Sequence, residues 1–239
     1  MEFALILIPF ALAAALPIIG GRMHATRLNW LLAAVLLALF GWLLTLFPTI
    51  ATQGAVIVEQ AWVASFGLTF ALYIDGLALL FALLITGIGA AIFLYAGYYL
   101  DDDPRAPRFF ALLMAFAGSM LGVVLSGNLI LLFVCWELTS LFSFLLIGFD
   151  GTKPEARSGA AQALVITGGG GLALFVGLIL MGTASGSFDL AQVLNAPLRD
   201  HPHYAAITLL VLAGCFTKSA QVPFHFWLPG GMTAPTPAS

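Results

Sequence analysis

Seven apolar runs recur along the sequence, and they restrict the possible folds more than any other feature. They cover residues 3–20, 29–48, 75–99, 108–126, 128–149, 159–182 and 204–222. About 20 apolar residues in a helix cross the hydrocarbon core of a bilayer. Only 8% of the 239 residues are charged and 62% are hydrophobic, whereas soluble domains carry about 25% charged residues. The sequence therefore predicts a single all-α domain over residues 1–239, a polytopic transmembrane helix bundle with about seven spans and the start of an eighth.

Several classes of function are excluded by what the sequence lacks. Nucleic-acid binding needs a basic patch, and the net charge of the chain is −3. Its two cysteines, Cys135 and Cys215, lie in separate apolar runs and are too few and too far apart for a disulfide framework or a metal site. No phosphate-binding loop, zinc pattern or nucleophile elbow occurs. The sequence thus predicts no cofactor, no metal and no nucleic-acid partner, with the lipid bilayer as the surroundings.

The basic residues predict the orientation of the spans. Loops one, three and five together carry Arg22, Arg27, Arg105, Arg108, Lys153 and Arg157, whereas the even loops carry only Arg199. Cytoplasmic loops are enriched in Lys and Arg, so the odd loops are predicted to be cytoplasmic and the amino terminus to lie outside. The chain would then be a multi-pass protein of the inner (plasma) membrane. Because Arg22 and Arg27 follow the first apolar run, that run is expected to be a retained helix and not a signal peptide.

Two loops carry further local signals. Residues 49–74 are predicted to form an extracytoplasmic loop, in which the β-type stretch FGLTFALYID (66–75) indicates a short hairpin. Asp75 followed by Gly76 is typical of the N-cap of the third span. The acidic run at 101–103 is interpreted as a solvated turn before Pro104.

Two ionisable residues lie inside apolar runs: Glu137 in LLFVCWELTSLFSF and Lys218 in LLVLAGCFTKSAQ. Each costs roughly 2.5–3.5 kcal/mol to insert at the centre of a helix, and such residues usually mark ion routes. Counted along their spans, Glu137 lies ~14 Å and Lys218 ~21 Å from the outer surface, so a direct or water-bridged pair is possible. The alternative is a structural ion pair that only holds the helices together.

A helix break is predicted next to Lys218. Pro223 lacks an N–H, and its ring would displace the carbonyl of Ser219. A charge beside a broken helix within the membrane is typical of ion-coupled transporters. An ordinary proline kink is the alternative.

Four further features surround this pair in the sequence. His225 is either a proton relay or a hydrogen-bonding residue beside Trp227. Thr139 and Ser140 are expected to hydrogen-bond the Glu137 carboxylate or an ordered water. The glycines at 168–171 are expected to let neighbouring helices approach closely.

The motifs WELTSLFSFLLIGF (136–149) and TKSAQVPFHFWLPGGMTAPTP (217–237) resemble the proton-pumping antiporter-subunit superfamily. This superfamily is shared by respiratory complex I, membrane-bound hydrogenases and Mrp-type antiporters. The stretches AQALVITGGGGLAL (161–174) and LYAGYYL (94–100) resemble the amino-terminal part of the large A-type subunit of Mrp Na⁺/H⁺ antiporters. One departure is WLPGGMTAPTPAS, where the family usually has WLP-x-AM-x-APTPVSA. Family members also continue for hundreds of residues, with an eighth helix and a second inverted repeat, so the chain is expected to be a fragment.

The resemblance implies that Glu137 on the fifth helix and Lys218 on the discontinuous seventh translocate protons. It further implies that the chain is part of a secondary transporter and not an enzyme, with other membrane subunits, H⁺, and Na⁺ or K⁺ as partners. Two alternatives stay open. One is a proton-pumping membrane subunit of an NADH:quinone oxidoreductase or a membrane-bound hydrogenase. The other is a truncated chain that inserts into the membrane but transports nothing.

Overall fold

The computed structural model describes residues 1–20, 24–63, 68–101 and 103–239. Each predicted span corresponds to an apolar α-helix. Among the described residues, one additional one-turn helix lies before the seventh span and another follows it. The helices are α1 (Ala4–Ile19), α2 (Ala25–Gln53), α3 (Gly76–Tyr99), α4 (Ala106–Leu125), α5 (Leu129–Ile147), α6 (Pro154–Ser185), α7 (Leu190–Val193), α8 (Tyr204–Lys218) and α9 (Leu228–Gly231). Strands β1 (Ala55–Val63) and β2 (Leu68–Asp75) lie between α2 and α3. The predicted all-α membrane bundle is confirmed.

The helices differ in length. Helices α2 to α6 are each long and apolar enough to cross a membrane. Helix α1 has 16 residues and α8 has 15, which at 1.5 Å per residue is less than the ~30 Å hydrocarbon core. Helix α8 stops at Lys218, four residues before the predicted end of its span. The chain continues through a 3-10 turn at Phe224–Trp227 into α9.

The loop before α3 is an antiparallel hairpin, in which Ala55 pairs with Asp75 and Gln60 with Phe70. It begins later than position 49, because α2 runs through Pro48 to Gln53. The Asp75 carboxylate accepts a hydrogen bond of 2.8 Å from the Ala78 amide, which confirms the predicted N-cap. Residues 66–67 of the predicted β-type stretch lie outside the described residues.

The even loops meet at one end of the bundle. A bridge between Leu72 and Ser126 joins the hairpin to the turn before α5, and a second bridge joins Asn128 to Asp189 in the loop after α6. The Asn128 amide group also donates to Asp189 Oδ1 at 3.2 Å, and Asn128 Oδ1 accepts from the first turn of α5. These bonds hold the start of α5 against two other loops.

The odd loops meet at the opposite end. The guanidinium group of Arg105 lies 2.9 Å from a carboxylate oxygen of Asp103 in its own loop. It also lies 3.6 Å from a carboxylate oxygen of Asp150 in the loop before α6. Its guanidinium group hydrogen-bonds to Asp103 and so holds the pKa of that carboxyl below its usual range. The contacts of Arg105 therefore place the third and fifth loops together at one end. Arg22 and Asp102 lie outside the described residues.

Helix α4 is the most buried of the long helices. Its Phe109 and Phe110 are fully buried, and Phe110 packs against Phe93 of α3. Gly122 of α4 lets α5 come close, since an added Cβ there would lie only 3.0 Å from Cys135 Cβ. Helix α5 is thus packed against α4 on one side, and its other neighbour is α6, where Phe133 and Phe175 stack at 4.4 Å.

Candidate functional site

Lys218 is the last residue of α8, and the helix ends there through a Schellman motif. The Gln221 amide donates to the Phe216 carbonyl at 2.9 Å and the Ala220 amide to the Thr217 carbonyl at 3.4 Å, while Ala220 has a left-handed φ of 52°. Ser219 follows the helix as its C-cap. The helix therefore ends before Pro223, and the ring of Pro223 does not have to displace the Ser219 carbonyl from a helical position. Pro223 lies at the far side of the break, at the N-cap of the 3-10 turn.

A hydrogen bond from Trp227 connects the two sides of the helix break. Its indole Nε1 donates a hydrogen bond of 2.9 Å to the Thr217 carbonyl, ten residues earlier. The Thr217 carbonyl thus accepts from the indole as well as from the Ala220 amide, so it is well satisfied at a helix end where no water is at hand. Trp227 was predicted only as a neighbour of His225, and not in this role. A polar-tipped aromatic residue shortly after an intramembrane break is the signal that suggests it.

The Lys218 ammonium reaches α5 but does not pair directly with Glu137. Its Nζ donates a hydrogen bond of 2.6 Å to Ser140 Oγ and lies 5.7 Å from the centroid of the Trp136 ring. Ser140 is only 3% exposed. No nitrogen–oxygen distance of 4.0 Å or less joins Lys218 to Glu137, although the two charges interact electrostatically. The predicted juxtaposition is present, whereas the direct ion pair is not.

The Glu137 carboxylate is directed toward α6. Its Oε1 is buried and has no hydrogen-bond partner among the described residues. It contacts Gly171 so closely that an added Cβ at that position would overlap it. The next glycine, Gly170, makes room in the same way for Thr217 of α8.

The four glycines of α6 therefore have different surroundings. A Cβ added at Gly168 or Gly169 meets nothing within 4 Å, whereas Gly170 and Gly171 face the two helices that carry the site. The predicted close approach of helices occurs, and it occurs next to the charged residues. Sequence periodicity marks the glycine run but does not show which of its members faces them.

The other predicted site residues are Thr139, Ser140 and His225, and their hydrogen bonds differ from those expected. The Thr139 hydroxyl donates to the Trp136 carbonyl of its own helix at 2.6 Å, and the Ser140 hydroxyl bonds Lys218 and not Glu137. His225 is exposed in the 3-10 turn, and its imidazole has no hydrogen-bond or ion-pair partner in the described part of the chain. Ser140 is the one member of this group in contact with the charged pair.

This arrangement places an amine and a carboxylate, both able to carry a proton, on two helices that both pack against α6, without direct neutralisation. The amine lies at a helix break and is hydrogen-bonded to the Ser140 hydroxyl. Within the described residues, no group of three or more histidine, cysteine or acidic side chains could hold a metal ion. The chemistry that these residues support is proton binding and transfer.

The sequence matches two family models. Residues 126–239 match the transmembrane family described as NADH:quinone oxidoreductase/Mrp antiporter, and residues 61–110 match the family described as NADH-ubiquinone oxidoreductase (complex I), chain 5 N-terminus. The first match contains Glu137, Ser140, Lys218 and the break that follows it.

Two bacterial proteins are similar over 98% of the chain. The probable K⁺/H⁺ antiporter A/B subunit of Rhizobium meliloti strain 1021 is 51% identical, and the Na⁺/H⁺ antiporter A1 subunit of Staphylococcus aureus is 40% identical. The chain covers 24% of the first protein and 30% of the second. It thus spans about a quarter to a third of the length of these relatives.

Two solved structures are similar in fold. A chain of the Mrp complex from Dietzia sp. DQ12-45-1b has a TM-score of 0.88 and 34% identity, and 98% of this chain covers 25% of it. A chain of the membrane-bound sulfane sulfur reductase, an archaeal respiratory membrane complex, has a TM-score of 0.79 at 20% identity, over 98% of this chain and 48% of that one. The second likeness concerns the fold alone.

Proposed function

Because this chain belongs to the superfamily that unites membrane subunits of NADH:quinone oxidoreductases and of Mrp antiporters, we propose that it transfers protons as part of a multisubunit monovalent cation/proton antiporter. One observation carries this proposal: Lys218 and Glu137 lie on two apolar helices that both pack against α6, at a helix break, close enough to interact but not paired. The relatives named as subunits of K⁺/H⁺ and Na⁺/H⁺ antiporters support antiport. The proposed partners are H⁺, Na⁺ or K⁺, and the other membrane subunits of the complex.

In this proposal Lys218 holds and passes the proton, and Glu137 controls how strongly the proton is held. A nearby carboxylate stabilises an ammonium group, while removal from water destabilises it. A change in the separation of the two groups therefore switches the site between proton uptake and proton release. The hydroxyl groups around the break support the transfer, and the exposed His225 is the proposed relay to water.

The proposed orientation follows from the grouping of the loops. The contacts of Arg105 place the third and fifth loops at one end of the bundle, and the bridges of Ser126 and Asn128 place the second, fourth and sixth at the other. By the positive-inside rule the basic end lies in the cytoplasm, which puts the amino terminus and the hairpin outside the plasma membrane.

The proposal is tested by antiport assays in everted vesicles that contain the complete complex. Lys218→Ala and Glu137→Ala are each expected to abolish cation-dependent proton exchange, because each removes one member of the pair. Lys153→Ala is the matched control, since Lys153 is exposed and bonds only Asp150 at the surface. Its exchange rate should equal that of the parent. Normal exchange in both site variants, at normal protein levels, would contradict the mechanism.

A further inference from the structure

The contacts of Lys218 define a binding place for its ammonium group on α5, here called the lysine seat and formed by Trp136 and Ser140. These two residues are four positions apart, so they lie on one face of the helix. The Ser140 hydroxyl accepts the 2.6 Å hydrogen bond from Nζ, and the Trp136 ring lies 5.7 Å away. Aromatic faces attract cations at this separation.

Glu137 lies beside the lysine seat and is not part of it. It precedes Ser140 by three positions, so its side chain projects from an adjacent strip of the same helix. Its buried Oε1 is left without a hydrogen-bond partner among the residues that the structure describes. Two acceptors on neighbouring strips of α5, the Ser140 hydroxyl and the Glu137 carboxylate, are available to the long, flexible side chain of Lys218. In the structure it hydrogen-bonds only the hydroxyl.

We infer that the lysine seat holds Lys218 away from Glu137, and that Lys218 moves between Ser140 and the carboxylate during transport. Ser140 is thus a positioning residue for Lys218. The inference rests on the proposed function for the transport step, while the seat itself stands on the contacts. A direct ion pair in the low dielectric of the membrane would be hard to separate once formed. The Ser140 hydroxyl is a second acceptor close by, and it makes the separation of Lys218 from Glu137 possible.

The hydroxyl of Ser140 suits this role because it can donate as well as accept a hydrogen bond. It accepts from the ammonium form of Lys218, and after rotation it can donate to the neutral amine. An ionised carboxylate can only accept. The seat can therefore bind Lys218 before and after the proton leaves, and only the hydroxyl, not an ionised Glu137, can donate to the lone pair of the neutral amine.

The first experiment removes the hydroxyl in the complete antiporter complex. Ser140→Ala is expected to lower the proton exchange rate in everted vesicles by about 10-fold or more, the effect of losing one hydrogen bond to a charged group. Ser140→Thr keeps the hydroxyl and should restore the rate to within about 3-fold. Ser119→Ala is the matched control, because Ser119 is equally buried in α4 but bonds only the Ala115 carbonyl. Wild-type exchange in Ser140→Ala, or equal loss in Ser119→Ala, would overturn the inference.

A structure of the Ser140→Ala complex provides the second readout. Without the hydroxyl, Nζ should lie within about 4 Å of a Glu137 oxygen, the range of an ion pair. A lysine that stays beside Trp136 would overturn the proposed movement. This result does not depend on whether Ser140→Thr fits its site.

A thermal double-mutant cycle separates the seat from the transport mechanism. Ser140→Ala and Lys218→Met are combined in the solubilised complex, and the melting temperatures should be non-additive by about 2–4 °C if the two side chains bind each other. Additive values would overturn the seat. If the values are non-additive but Lys218→Ala retains antiport, the proposed function fails while the seat remains.

Discussion

The contact between Gly171 and Glu137 gives the sharpest test of how α6 shapes the site. An alanine Cβ at position 171 would lie 2.9 Å from the Glu137 Cδ and would overlap Oε1. Carbon atoms normally approach to about 3.5–4.0 Å, so the carboxylate or the helix must move by about 1 Å. Gly171→Ala therefore displaces one member of the charged pair without changing any charge.

A displacement of this size predicts a large functional effect. Misplacing a reacting group by about 1 Å costs roughly 100-fold in rate, which corresponds to about 2.7 kcal/mol. The overlap itself should destabilise the fold by about 1–3 kcal/mol, partly offset by about 1 kcal/mol from replacing glycine in a helix. We expect antiport to fall about 100-fold while the complex remains folded.

Gly169→Ala is the matched control on the same helix. A Cβ at position 169 meets nothing within 4 Å, so only the helix propensity changes and exchange should stay at the parent rate. Adding Glu137→Asp to Gly171→Ala shortens the side chain and should recover part of the lost activity. The assay is proton exchange in everted vesicles, with melting temperatures measured on the same preparations. Parent activity in Gly171→Ala, or equal losses at positions 169 and 171, would refute the reasoning.

Three further predictions concern the elements that hold the site in place. Trp227→Phe keeps an aromatic ring but removes the stronger of the two donors to the Thr217 carbonyl, and it should cost about 0.5–1.5 kcal/mol of stability. Trp42→Phe, at an indole with no hydrogen-bond partner among the described residues, should leave the melting temperature nearly unchanged, and equal shifts in both variants would contradict this role of Trp227. Ala220→Gly relieves the left-handed φ of 52° and should stabilise the complex by up to about 1 kcal/mol; a lower melting temperature would argue against the Schellman motif. Asn128→Ala removes the N-cap of α5 and should cost about 1–2 kcal/mol, with faster amide hydrogen exchange in the first turn of α5; unchanged exchange there would rule out the capping role.

Much of the fold was predictable because hydropathy acts locally. An apolar run of sufficient length forms a helix in a bilayer whatever its neighbours are, since every backbone group must be satisfied within the segment. The long helices therefore coincide with predicted spans, and Asp75 caps α3 as its position predicts. The proximity of Glu137 and Lys218 was also predictable, because they lie at similar depth and two costly charges in apolar spans seek a common environment.

The end of α8 shows where local reasoning was incomplete. Pro223 indicated a break, but the helix stops earlier, at Lys218, through hydrogen bonds centred on Ala220. An alanine is an unusual residue for a left-handed cap, so no sequence signal marks it. The compensating bond from Trp227 to Thr217 forms across the break and depends on how the following turn folds back.

The sequence by itself determined that this chain is a bundle of apolar helices and that Glu137 and Lys218 lie within it. Only the tertiary structure decided that Lys218 bonds Ser140 and not Glu137, and that Gly171 faces the carboxylate while Gly169 faces open space. The physical reason is that spacing along a helix determines which residues share a face, but not which neighbour that face meets. The rotation of α5, α6 and α8 about their axes depends on close packing between them, and differences of a few ångströms there select the contacts of the charged groups.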